Sequence, residues 1–166
     1  MNRHTRTVLA SALLGSLATL TTLHAAQPQA EKPKEDRPIR LGNFSMSLTV
    51  KDLAASRAFY EKLGFHFKGG MPDKNWVVLQ NDTATIGLFQ GMFEKNSLTF
   101  NPGWDRNGQT LPDFDDVRDL QKMVKEKGLT PTLAADETTT GPAFFVLTDP
   151  DGNPVLIDQH VAKPTK

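Results

Sequence analysis

The chain has 166 residues, with 19 basic and 19 acidic side chains, 38% hydrophobic and 23% charged residues. That length suits one domain or two small halves sharing a core, and the balanced charge supplies no field to draw the protein to nucleic acid or anionic lipid. The lack of cysteine excludes disulfides, thiolate metal sites, a cysteine nucleophile and a lipid anchor on cysteine.

At the N-terminus Arg3 and Arg6 precede an apolar stretch over residues 7–23, and His24-Ala25-Ala26 supplies small residues behind it. Basic, apolar and small in that order is the pattern of a secretory signal. Residues 1–26 are therefore expected to be a cleaved signal peptide, and the mature protein to be exported, periplasmic or extracellular, with no integral membrane span after cleavage. The alternative is an uncleaved anchor, for which a run of about 17 residues lies at the short edge of a bilayer span. Residues 27–40 are mostly proline and charge with little to bury, and read as a flexible linker. The folded domain is expected over residues 41–162.

Residues 44–52 read FSMSLTVKD, with Met46, Leu48 and Val50 alternating with Ser45, Ser47 and Thr49. Alternation with period two predicts a strand with one buried and one polar face. Asp52 is placed to cap a helix over residues 53–63, with Leu53, Ser56, Phe59, Tyr60 and Leu63 on one face and Gly64 as its stop. Three short strands are predicted next, over residues 65–68, 76–80 and 83–90, separated by Gly69-Gly70 and Asn81-Asp82. The order is βαβββ.

The second half repeats it. Residues 97–101 alternate and stop at Pro102-Gly103. Asp113 or Asp115 begins a predicted helix to Lys127, with Val117, Leu120, Met123 and Val124 on one face and Gly128 at its end. Strands are predicted over residues 130–133, 143–148 and 154–158, the last two joined by a tight turn at Asp149-Pro150-Asp151-Gly152-Asn153. The fold class predicted is α+β: two βαβββ modules, about 41–92 and 95–162, whose sheets pair into a cupped surface suited to a ligand.

The stretches SLTVKDLAASRAFYEKLGF and LTDPDGNPVLID resemble the opening and closing motifs of the glyoxalase/bleomycin resistance/dioxygenase superfamily, also called the vicinal oxygen chelate superfamily. The resemblance spans about residues 44–160. It implies the paired-module fold, and for metal-dependent members a divalent ion held by His, Glu or Gln from the first and last strands of each module. Carried over one by one, the ligand positions fall on Ser45, Gly87, Ser97 or Thr99, and Leu156. A divalent ion needs three or more strong donors converging, so no metal and no other cofactor is predicted. The superfamily hosts many chemistries, and the fold alone does not choose among them.

Other polar residues have ordinary readings. His66 is expected to be exposed, Asp136-Glu137 to decorate a loop, and Asp113, Asp115, Asp116 and Asp119 to complement a helix N-terminus. Asp158 and His160 share one strand face by parity, which admits a metal or acid/base role or simply a strand leaving the sheet. The candidate ligand contacts are Ser45, Ser47, Thr49, Thr99, Asn101, Trp104 and Asp158. Trp104 with Arg106 stands at the cup's rim, or else closes the end of the core. There is no nucleophile–base–orienter set and no phosphate-cradling glycine loop. The reading is an exported protein that binds a small organic molecule in the cup without the usual metal. The alternatives are a glyoxalase-like lyase, isomerase or dioxygenase with an atypical ligand set, and a dimerising interaction protein. No nucleic-acid partner is expected, and a homodimer is compatible with the fold.

Overall fold

The computed structural model describes residues 38–165. The expected signal peptide and most of the expected linker lie outside the described residues. Strand β1 (Asn43–Val50) leads through the Asp52 cap into helix α1 (Leu53–Glu61), followed by β2 (His66–Met71), β3 (Trp76–Gln80) and β4 (Thr85–Gln90). Then come β5 (Ser97–Asn101), α2 (Val117–Glu126), β6 (Ala143–Thr148) and β7 (Pro154–Gln159). The strands form one seven-stranded sheet in the order β2-β3-β4-β1-β5-β7-β6. Antiparallel pairing of β1 with β5, from Asn43↔Asn101 to Ser47↔Ser97, is the seam between the halves. On either side lies a parallel pair, β1 with β4 and β5 with β7. The α+β fold of two paired modules is thus as predicted, with one strand fewer.

Residues 130–133 are not a strand. Thr132 and Leu133 make only an isolated bridge to Val146 on β6. Pro131 has no N–H to continue a ladder, and helix α2 claims the next residues instead. Gln121 accepts from Ala135 N (2.7 Å) and donates to Ala135 O (3.2 Å). Arg118, 1% exposed, donates to the carbonyls of Asp136 and Gly141 and to Thr139. Its charge is met by Asp116 at 3.2 Å, itself 2% exposed. Gln159 at the end of β7 closes the network: it donates to Asp116 (3.0 Å) and accepts from Val117 N (2.7 Å).

Both helices lie on the same side of the sheet, since each packs against alternating residues of its own strands. Leu53 of α1 packs with Val77, Leu79, Ile86 and Leu88. Val117, Leu120 and Val124 of α2 pack with Ala135, Phe145 and Ile157. Each fully buried aliphatic or aromatic side chain in these clusters contributes roughly 1.5–3 kcal/mol by leaving water. Ile39 joins the second cluster, and Arg40 pairs with Asp113 and Asp115 at 2.9 and 3.0 Å, so packed structure begins just before Leu41.

Two helix expectations need correction. Leu53 is the one buried residue of α1; Phe59 and Leu63 are 58% exposed, and the helix ends at Glu61 because the following turn closes onto Tyr60 O. Helix α2 starts at Val117 rather than near Asp113, because Asp116 supplies the cap by accepting from Arg118 N (3.0 Å). Among the described residues no helix is long and apolar enough to cross a membrane.

Candidate functional site

The face of the sheet away from the helices is set by strand parity. On β1 and β5 the residues opposite the core face are Ser45, Ser47 and Thr49, and Ser97, Thr99 and Asn101. Ser45 lies across from Thr99, and Ser47 across from Ser97. These central side chains are buried although polar: Ser45, Ser47, Ser97, Thr99 and Asn101 are each no more than 9% exposed. The Ser47 and Thr99 hydroxyls share a hydrogen bond of 2.8 Å. Ser97 donates to Pro154 O (3.3 Å), and Asn101 donates to the backbone carbonyl of Asp158 (3.0 Å). The centre of this face is therefore a buried polar strip. Thr49 lies beyond it, and its hydroxyl donates to Phe93 O (2.8 Å) in the connection between the halves.

The walls differ. In the first half Gly87 stands beside Ser47, and Phe89 shares its face. A Cβ on Gly87 would collide with the ring of Phe89, which leans over that position. Phe89 stacks with Trp76 (6.1 Å between centroids, 9° between planes) and meets Phe93 at 5.1 Å. In the second half Leu156 stands beside Thr99, and Asp158 shares its face, directly across from Phe144 on β6. The registers make Ser47 with Gly87 equivalent to Thr99 with Leu156 about the seam, so Phe89 and Asp158 are equivalent positions and Ser97, rather than Thr99, corresponds to Ser45.

After Asn101 the chain turns at Gly103 (φ 88°), where a side chain would collide with Val161 and crowd Phe114. Residues 103–111 fold back on themselves, with Leu111 N donating to Gly103 O (2.8 Å) and Asp105 N to Gln109 O (2.9 Å). This hairpin reaches from one half to the other. At its base Trp104 stacks on His160 (4.3 Å, 17°). Toward its tip the Arg106 carbonyl accepts from Gln80 (2.9 Å), and the Arg106 guanidinium bonds to the Asn81 and Asp82 carbonyls. Arg106 thus fastens the hairpin to the β3–β4 turn.

Asp158 and His160 meet at 3.3 Å, with side chains 27% and 41% exposed. Burial pushes the Asp158 carboxyl above its ordinary range, and the attraction of His160 offsets part of that rise. The structure thus gathers Ser45, Ser47, Thr99 and Asn101 on one strip, with Asp158 at its end and Trp104 above His160. His66 is exposed, and Glu137 bonds Gln121 and Lys125 on α2. Sequence reasoning missed Trp76, Phe89, Phe93 and Phe144 as wall residues, though the parity of WVVLQ, TIGLFQ and AFFVLT carried the signal for three of them.

The ligand positions implied by the resemblance hold hydroxyls at Ser45 and Ser97, no side chain at Gly87 and hydrocarbon at Leu156. That donor set does not fit a divalent ion, which requires several strong donors at bonding distance. Among the described residues no three His, Asp or Glu side chains are grouped to hold one.

The model of the Glyoxalase/Bleomycin resistance protein/Dioxygenase superfamily matches residues 41–157. Among solved structures, the chain is similar to a member of that superfamily from Vibrio splendidus 12B01 (19% identity, TM-score 0.50), over 70% of this chain and 97% of that one. It is also similar to a protein described as an NAD-dependent benzaldehyde dehydrogenase from Legionella pneumophila (18% identity, TM-score 0.54), over 71% and 99%. At such identities the likeness is one of fold. A search of curated proteins returns no significant match.

Proposed function

The chain belongs to the Glyoxalase/Bleomycin resistance protein/Dioxygenase superfamily, and we propose that it is an exported, metal-independent member that binds a small organic molecule in the cup. The observation that carries this reading is the buried hydroxyl strip of Ser45, Ser47, Ser97 and Thr99 between an aromatic wall and a carboxylate. A few fixed polar groups set among apolar walls are what orient a small ligand. Export rests on the basic, apolar and small order of residues 3–26.

Native mass spectrometry of the protein purified from its own cells, without chelator, tests the proposal. A co-purifying small molecule lost in the Ser47→Val/Thr99→Val variant is the expected result. Stoichiometric divalent metal, abolished by Asp158→Ala or His160→Ala, overturns it. A second reading, a metal-free lyase or isomerase, is favoured by the Asp158–His160 contact, since a carboxylate that orients an imidazole makes a general base. Turnover of a bound compound that His160→Ala stops while binding persists would select it.

A further inference from the structure

Resting on the reading of the cup as a ligand site, we propose that Asp158, Trp104 and Phe144 form a subsite for a flat organic cation, and that His160 lies in it as an intramolecular stand-in. The position of Asp158 is occupied by Phe89 in the other half, so the sheet itself does not require a carboxylate there. The carboxylate is largely withdrawn from water, and its one ion-pair partner among the described residues is His160 at 3.3 Å. A half-buried anion with so little compensation is suited to a cation that arrives from outside.

One aromatic side chain lies across from that anion and another stacks on its partner His160. Phe144, 45% exposed, faces Asp158 directly across β6 and β7. Trp104 is held by the fold-back of residues 103–111 and presents its face to the His160 ring at 4.3 Å and 17°. The imidazole is thus stacked on an indole with one ring nitrogen on a carboxylate. That is the arrangement an amidinium, guanidinium or pyridinium group would take, with the indole contributing cation–π attraction. His160 is 41% exposed and lies past the end of β7, so its ring can leave without unpairing the strand.

The chain has two tryptophans, Trp76 and Trp104. Trp76→Phe keeps the stack on Phe89 and leaves Trp104 as the sole reporter in the full mature chain. Benzamidine should quench its fluorescence saturably, and benzamide, of the same shape without charge, should do so about tenfold more weakly. Asp158→Asn should weaken benzamidine by about tenfold and leave benzamide unchanged. His160→Ala should tighten benzamidine by vacating the site. Equal affinity for the two probes overturns the proposal, even if Asp158→Asn does not fold. So does benzamidine binding unaffected by Asp158→Asn, or weakened by His160→Ala. If the co-purified compound remains on Asp158→Asn while benzamidine ignores the substitution, the cation subsite falls and the cup reading stands. A cup that binds neither probe and carries no compound refutes both.

Discussion

The two halves of the sheet place their strands alike and fill them differently. The first half has four strands and a wholly apolar cluster of Leu53, Val77, Leu79, Ile86 and Leu88 beneath its helix. The second has two strands after its helix, and a clamped loop where a further strand was expected. Beside its apolar cluster it buries Asp116, Arg118, Gln121 and Gln159, each no more than 2% exposed. On the cup face the same contrast recurs: Phe89 and Trp76 make an aromatic stack in one half, while Asp158 and His160 make an ion pair in the other. The seam between β1 and β5 is made by backbone pairing and the Ser47–Thr99 hydrogen bond on the face away from the helices, so beneath its helix each half satisfies its interior by its own means.

The largest effect should come from removing the charge that holds the second half. Arg118→Ala leaves Asp116 buried without its cation and should cost about 3–5 kcal/mol, measured by denaturant unfolding. Limited proteolysis should then cut first within residues 129–142, whose carbonyls Arg118 had held. In the first half Leu79→Ala should cost about 2–5 kcal/mol by cavity formation, without new cleavage in that loop. Equal proteolytic patterns for the two variants would erase the distinction between the halves.

A smaller effect separates the two walls. Gly87→Ala drives a methyl group into the Phe89 ring and should cost about 1–3 kcal/mol. Adding Phe89→Leu should recover part of that loss, and an additive double mutant would place the collision elsewhere. The smallest effect concerns Asp158. Its carboxyl is raised by burial, so its contribution to stability is present below the unfolded-state value and is lost as pH rises through the folded one. Asp158→Asn should therefore melt slightly above the unmodified protein at neutral pH, and the gap should close toward acid. A gap that widens toward acid would mean that the pairing with His160 outweighs burial.

Much of the fold was legible because alternation is a local property. The strand at residues 97–101 falls where Ser97 begins a period-two run, and those at residues 76–80 and 143–148 fall on the short apolar runs WVVLQ and AFFVLT. The strand expected at residues 130–133 failed because pattern and partner disagree: Pro131 interrupts the ladder, and Arg118 and Gln121 supply competing hydrogen bonds from far along the chain. No periodicity reveals that an arginine in the first turn of a helix is buried. The face of α1 differs for a related reason: Phe59 and Leu63 have helical spacing, yet among the described residues no element covers them and each is 58% exposed. Of the candidate site, parity put Asp158 and His160 together, whereas the Trp104 stack depends on a fold-back that no repeat encodes.

The short connection between the halves has a consequence for how the molecule is held together. Six residues, 91–96, link β4 to β5, and Thr49 fastens them to β1 by accepting no freedom at either end: its N–H donates to Asn96 (3.0 Å) and its hydroxyl to Phe93 O (2.8 Å). Each half is in effect the other's binding partner, and the link keeps the two at high effective concentration. The fastening to Thr49 acts on what remains, the choice between closing on the same chain and exchanging halves with a second one. A cut chain, nicked between residues 91 and 96, would turn that intramolecular seam into a measurable bimolecular affinity between two fragments.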